Sequence, residues 1–347
     1  METNRLNRLS PILQNYGIEP HFIEELGKVS KVYSSKGTFA LKKIQPEKGI
    51  DFVSSVQYLY QQGYNRIVPI YPTMDGRYAV WQEEGLYYLM PWLINVEKED
   101  RHEKHQKLFR ELARLHHLST SERPIKVEER QEHYEMTTEK WDKQTEFIDE
   151  FLDRCEKKIY MSPFELLFCT YYYEISQSIR FSRKKLDSWY EETKEKDKVR
   201  TVMIHGKLSS EHFLFDERGL GFFSNFEDTK TASPIHDLIP FISRTLQTYP
   251  KPNDECFEWL STYFQHFPFR EEENLLFLSY LAYPSLVIKV VEEYHHREKK
   301  NEAKLIKKLQ RQYWGLKNIE YIVMKMEELE QKKKAEAAEA NQEGASS

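Results

Sequence analysis

The stretch 202–238, VMIHGKLSSEHFLFDERGLGFFSNFEDTKTASPIHDL, constrains the fold of this chain more than any other. Two short apolar runs, 213–215 and 221–223, flank the polar turn 216–219, which is the pattern of a β-hairpin. His205-Gly206 stands just before the first run, and Asn225-Phe226-Glu227-Asp228 just after the second. A hairpin brings its two open ends together, so the polar residues there read as the frame of a site.

The rest of the chain must supply a core for that frame. Its 347 residues suffice for about two domains or one large two-lobed one. A charged fraction of 31% and a mean hydropathy of −0.74 alone would suggest disorder. Aromatic residues at 14% argue against it, because they supply enough buriable area for a core. The 51 basic and 56 acidic residues are interspersed, so no basic stripe marks a nucleic-acid surface, and nucleic acid is not an expected partner. Cys155, Cys169 and Cys256 are odd in number and show no CxxC spacing, which reads as reduced, mostly buried thiols in a cytosol-made protein. Arg5 and Arg8 are followed by no apolar segment, and no run of about 18 apolar residues stands out, so neither a signal peptide nor a membrane span is expected.

Taken in order, residues 4–16 place Leu6, Leu9, Ile12 and Leu13 at helical spacing. The region 22–44, with Ser35-Lys36-Gly37 in it, reads as two antiparallel strands joined by a glycine-containing turn, with Lys42 on the opposite face from Leu41. A helix over 51–62 closes at Gly63, and strands follow at 67–71, 78–81 and 87–91, with Met74-Asp75-Gly76 as a turn. From residue 104 the period becomes helical: 105–118, the long charged segment 131–194, then 234–246, 254–264, 271–294 and 303–329. The expected division is an N-terminal β-rich lobe over 1–92, a helical lobe over 93–330 and a disordered charged tail over 331–347.

Three motifs then carry a resemblance. Leu112-Ala113-Arg114-Leu115-His116 looks like the "LA-x-LH" helix of the aminoglycoside phosphotransferase and choline kinase branch of the protein-kinase-like fold. The segment 205–214, HGKLSSEHFL, resembles its "HGDLHPGNIL" loop, and Asn225-Phe226-Glu227-Asp228 with Pro234 and Asp237-Leu238 its "DFE…P…DL" segment. Leu89-Met90-Pro91-Trp92, 112–119 and Leu281-Ala282-Tyr283-Pro284-Ser285-Leu286 narrow the likeness to the bacterial spore-coat CotS-like subgroup, nearest to YsxE. The resemblance spans residues 20–325 and implies an α+β, two-lobed fold. Its small lobe would be a mixed or antiparallel sheet, and its large lobe mainly helical with an inserted β-hairpin.

The same resemblance implies a site whose chemical positions are altered. Where the family has the aspartate that orients or deprotonates the acceptor hydroxyl, this chain has Lys207. A lysine is protonated at neutral pH, nearby phosphate would hold it so, and a base must be an acceptor. The metal-binding asparagine is replaced by His212, and the metal-binding aspartate by Asn225. Imidazole favours zinc, copper or nickel over magnesium, and an amide oxygen is a weaker magnesium ligand than a carboxylate. Asp, Asn, Asp sum to −1 + 0 − 1 = −2, whereas Lys207, His212 and Asn225 sum to +1 + 0 + 0 = +1. Such a site would repel Mg²⁺. Glu227 and Asp228 are the weak fallback metal candidates, with Glu211 and Asp216 beside them, and Asp237 is expected to be structural.

Lys42 matches the lysine that holds nucleotide phosphates, but the helix over 51–62 has no acid after Asp51 to orient it. The turn Gly27-Lys28-Val29-Ser30-Lys31, with one glycine, is a weak phosphate loop and reads equally well as an exposed hairpin. His116-His117 and His295-His296 are expected to be structural.

These readings converge on a catalytically degenerate kinase-like protein with no catalytic residues, acting as a structural or interaction component of the endospore coat. Other coat proteins are its expected partners, and it would be made in the mother-cell cytoplasm. No cofactor is expected, although ATP at Lys42 stays open. Two alternatives stand beside this reading: a divergent ATP-dependent phosphotransferase using Glu227, Asp228 or Glu211, and a metal-independent nucleotide- or anion-binding module built on Lys42, Lys207 and Lys28.

Overall fold

The computed structural model describes residues 2–82, 85–93, 101–296 and 301–345. Packing divides the chain into two compact units. The first comprises Met1–Ser121, Thr201–Asp237 and Gln265–Phe267, and the second Glu122–Arg200, Leu238–Phe264 and Pro268–Ser347. These units cut across the division expected at residue 92, because the segment carrying the hairpin packs with the N-terminal strands.

In the first unit, helix α1 (Glu2–Gln14) precedes the strands β1 (Pro20–Leu26), β2 (Val29–Ser34) and β3 (Gly37–Ile44). Helix α2 (Gly49–Gln61), strands β4 (Val80–Gln82) and β5 (Gly85–Pro91), and helix α3 (Arg101–Leu118) follow. The five strands form one antiparallel sheet in the order β1-β2-β3-β5-β4. The strict alternation of strand side chains decides what each face holds. Leu41, Tyr87 and Leu89 join Leu9, Ile12 and Leu13 of α1 in a core on one face. Lys42 lies opposite Tyr88 in the β3–β5 register, so those two share the other face, where Phe52 of α2 packs on Tyr88 with ring centroids 5.1 Å apart.

The strand expected at 67–71 is reduced to single bridges, Ile67 with Phe223 and Tyr71 with Leu89. Pro69 and Pro72 carry no N–H for a continuous ladder. The turn at 74–76 forms as expected, with the Gly76 N–H donating to the Thr73 carbonyl.

Strand β6 (Ser121–Pro124) opens the route to the second unit, whose helices α4 (Val127–Glu156) and α5 (Pro163–Thr193) form from the long charged segment. Ser162 caps α5, accepting from the Glu165 N–H, while the Glu165 carboxylate accepts from the Ser162 N–H, and Pro163 takes the first helical position. Strand β7 (Lys198–Ile204) leads into the hairpin β8 (Phe213–Phe215) and β9 (Gly221–Phe223), and β10 (Lys230–Ala232) pairs back onto β7. The helices α6 (Ile235–Thr245), α7 (Asp254–His266), α8 (Glu271–Ala282), α9 (Ser285–His296) and α10 (Glu302–Ala345) complete the chain.

The single helix expected over 271–294 is two, because Pro284 pushes Tyr283 into extended backbone at φ −63°, ψ 123°. The span Glu271–His296 is long and apolar enough by composition to cross a membrane, contrary to the sequence reading, but 61% of its apolar window is buried inside the fold. Residues 331–345, expected as a disordered tail, continue α10 as helix, consistent with their alanine, glutamate and lysine content. The second unit's core gathers Trp141, Phe151, Phe168, Ile175, Leu186 and Ile288 from α4, α5 and α9.

Candidate functional site

The frame inferred from the sequence is assembled within the first unit. Asp216 closes the hairpin turn: its carboxylate accepts from the Arg218 and Leu220 N–H groups, and its carbonyl from Gly219 N–H. One end of the hairpin presents His205, Gly206, Lys207 and His212, and the other Asn225 and Glu227.

The His205-Gly206 turn is fixed from below by Asp237, which is buried at 1% exposure. Its two carboxylate oxygens accept from His205 N–H at 2.7 Å and Gly206 N–H at 2.9 Å, and His116 Nε2 lies 3.2 Å away. Burial would raise the Asp237 pKa, but the His116 and His205 contacts outweigh it and hold the carboxyl below its ordinary range. Asp237 thus pins the loop as a structural residue, and His116 joins it from below. Gly206 has φ +77°, and a Cβ there would stand 2.1 Å from the Asp228 carbonyl oxygen.

Lys42 is 8% exposed and is held from two sides. Its ammonium lies 2.6 Å from Glu227 Oε1 and donates to Asn225 Oδ1. Tyr88 donates its hydroxyl to the same Glu227 oxygen at 2.6 Å. Burial pushes the lysine pKa down, the Glu227 carboxylate offsets this, and Lys207 adds repulsion. The orienting acid that helix α2 lacks is therefore supplied by Glu227, 185 residues downstream of Lys42 in sequence. Asp228 adds only a more distant attraction to Lys42.

The amide of Asn225 is oriented by its neighbours. His212 Nδ1 donates to the Lys207 carbonyl at 2.9 Å, which leaves Nε2 as the acceptor for Asn225 Nδ2 at 3.2 Å. Burial lowers the His212 pKa and favours this neutral imidazole. Asn225 itself sits in the left-handed region at φ 73°, ψ 46°, where asparagine is among the tolerated residues. Lys207 is exposed on its loop.

The structure brings together Lys42, Asn225, His212 and Glu227, with the Lys207 backbone joined to them through His212. Tyr88 is the member the sequence reading missed, because its place opposite Lys42 follows only from the pairing of β3 with β5. As a magnesium site the arrangement fits poorly. The Asn225 oxygen faces an ammonium, the His212 lone pair is taken by an amide, and Glu227 is shared between Lys42 and Tyr88. Among the described residues no three His, Cys, Asp or Glu side chains are grouped as metal ligands.

Comparison with known proteins gives the fold and the family. An aminoglycoside phosphotransferase from Alicyclobacillus acidocaldarius superposes with a TM-score of 0.67 at 14% identity, covering 92% of this chain and 96% of the other. Spectinomycin phosphotransferase APH(9)-Ia in its AMP-bound form gives 0.56 at 12% identity, covering 93% and 98%. These likenesses establish the fold: an antiparallel sheet lobe and a mostly helical lobe with small sheets, as the sequence resemblance implied. A search of curated proteins returned no match. Residues 10–326 match the family described as "Spore coat putative kinase YutH", so the spore-coat resemblance holds, with YutH rather than YsxE as the family matched. The chain belongs to this YutH family of spore-coat kinase-like proteins.

Proposed function

We propose that this chain is a catalytically degenerate kinase-like protein that serves as a structural or interaction component of the bacterial endospore coat, with other coat proteins as its partners. The observation that supports it best is at Asn225, whose amide oxygen accepts from the Lys42 ammonium. In phosphotransferases of this kind the lysine holds nucleotide phosphate and an aspartate at the position of Asn225 holds metal. Here a neutral amide stands in place of that aspartate and is spent on the lysine, and Lys207 occupies the position of the base. Placement in the coat rests on family membership.

The test is incubation with ATP, with Mg²⁺ or Mn²⁺ and with EDTA, read by thermal shift and by γ-phosphoryl transfer to coat proteins and small alcohols. The expected result is no metal-dependent stabilisation and no turnover. Turnover that disappears in Lys42→Ala would overturn the reading. A second reading, a metal-independent anion-binding module, draws support from the Lys207 charge acting on Lys42. Stabilisation by ATP that persists in EDTA would favour it.

A further inference from the structure

The second unit carries a trough between α5 and α10 with a volume of about 500 Å³, in the size range of specific binding sites. Its floor is apolar, built from Phe181 of α5 and Leu316, Ile319 and Val323 of α10. At its mouth Tyr173 and Met324 are 67% and 54% exposed. An exposed methionine over an apolar floor is the adaptable surface that docking sites favour.

The charged side chains lining this floor have one sign. Glu174, Glu320, Glu327 and Glu328 line it, and among the described residues no lysine or arginine does. Each carboxylate has a local partner outside the lining: Glu327 has Lys185 at 2.7 Å, Glu328 has Lys325 at 3.8 Å, Glu320 has Lys317, and Glu174 has the Tyr313 hydroxyl. Surface pairs of this kind contribute little and are readily exchanged. A cation that also buries apolar area would compete with them.

The trough is also long. Its α10 wall runs from Leu316 to Gln331, which at 1.5 Å per residue is about 22 Å, or four helical turns. That length suits a helix better than a small amine. We propose that the trough docks a basic amphipathic helix of a partner protein, with leucine-like side chains entering the floor and lysine or arginine from flanking turns meeting the four glutamates. The proposal is independent of whether the Lys42 site binds nucleotide.

The test uses the full chain and a fluorescein-labelled peptide of roughly 18 residues, built of leucine and lysine at helical spacing. Anisotropy should show saturable, salt-sensitive binding that weakens roughly tenfold or more in Met324→Lys and in Glu328→Lys. Both positions are exposed, so an unchanged melting temperature confirms that the variants fold. Glu139→Lys, at an exposed position of α4, should bind as the parent does. Absent saturation, equal binding of a leucine–glutamate peptide, or equal weakening by Glu139→Lys would overturn the proposal. So would saturable binding of hexylamine without binding of the peptide, which would make the trough a small-cation site.

Discussion

A buried ammonium is stable only if its charge is matched, and at Lys42 the matching group is Glu227, whose side chain is 6% exposed against 10% for the lysine. Removing one partner leaves the other as an unpaired buried charge. Lys42→Met should therefore cost about 3 kcal/mol or more in urea denaturation. The double substitution Lys42→Met with Glu227→Leu should recover a large part of that loss, because neither charge then remains. If Lys42→Met is neutral, the pair is not formed in solution. Lys42 was legible in the sequence because a lysine one residue after a core leucine must face away from the core. Its acid was not. Glu227 and Asp228 are adjacent and chemically alike, and only the left-handed turn at Asn225 and the 3-10 turn after it decide which one meets the lysine. The rotation of the Asn225 amide was equally hidden, since it is set by which His212 nitrogen carries the proton.

The elements that hold these residues were more legible than their contacts. The hairpin formed where two apolar runs flank an Asp-Glu-Arg-Gly turn, because the turn chemistry and the alternation agree. The expected strand at 67–71 and the single helix at 271–294 failed for one reason: proline acts locally, and Pro69, Pro72 and Pro284 outweighed the apolar pattern around them. Gly206 is the position where this frame is least forgiving. Gly206→Ala combines a positive φ with a 2.1 Å approach to backbone, and should cost about 2 kcal/mol or more in stability. A much smaller loss in the denaturation midpoint would mean that the loop is loosely held. At the start of α5, Ser162→Ala removes one half of a capping box and should cost about 1 kcal/mol. Unchanged stability there would show that Pro163 and Glu165 hold the helix end without the hydroxyl.

For the molecule as a whole, the site's chemistry is written into the pH dependence of stability. His205 is fully buried and donates Nε2–H to the Ser224 carbonyl at 2.8 Å, while its Nδ1 accepts from Lys207 N–H. His212 is held in the same neutral state. In both, burial depresses the pKa below the ordinary value of 6.5. Below about pH 6.5 the unfolded chain therefore takes up protons that the folded chain refuses, so stability falls as the pH falls. For His205 the slope is at most about 1.4 kcal/mol per pH unit, with a smaller share from the more exposed His212. Asp237 acts in the same direction at lower pH: its depressed pKa gives stability that is present above 3.8 and lost as the pH drops through the folded value. These groups together predict a melting temperature that is level between pH 8 and 7 and declines from about pH 6.5 toward 5. His212→Asn, which restores the residue found at this position in the phosphotransferases that the chain resembles, should make the decline shallower. Equal melting temperatures at pH 8 and 5 would mean that these imidazoles take up protons as readily in the folded chain as in the unfolded one, and the neutral His212–Asn225–Lys42 arrangement would then be wrong.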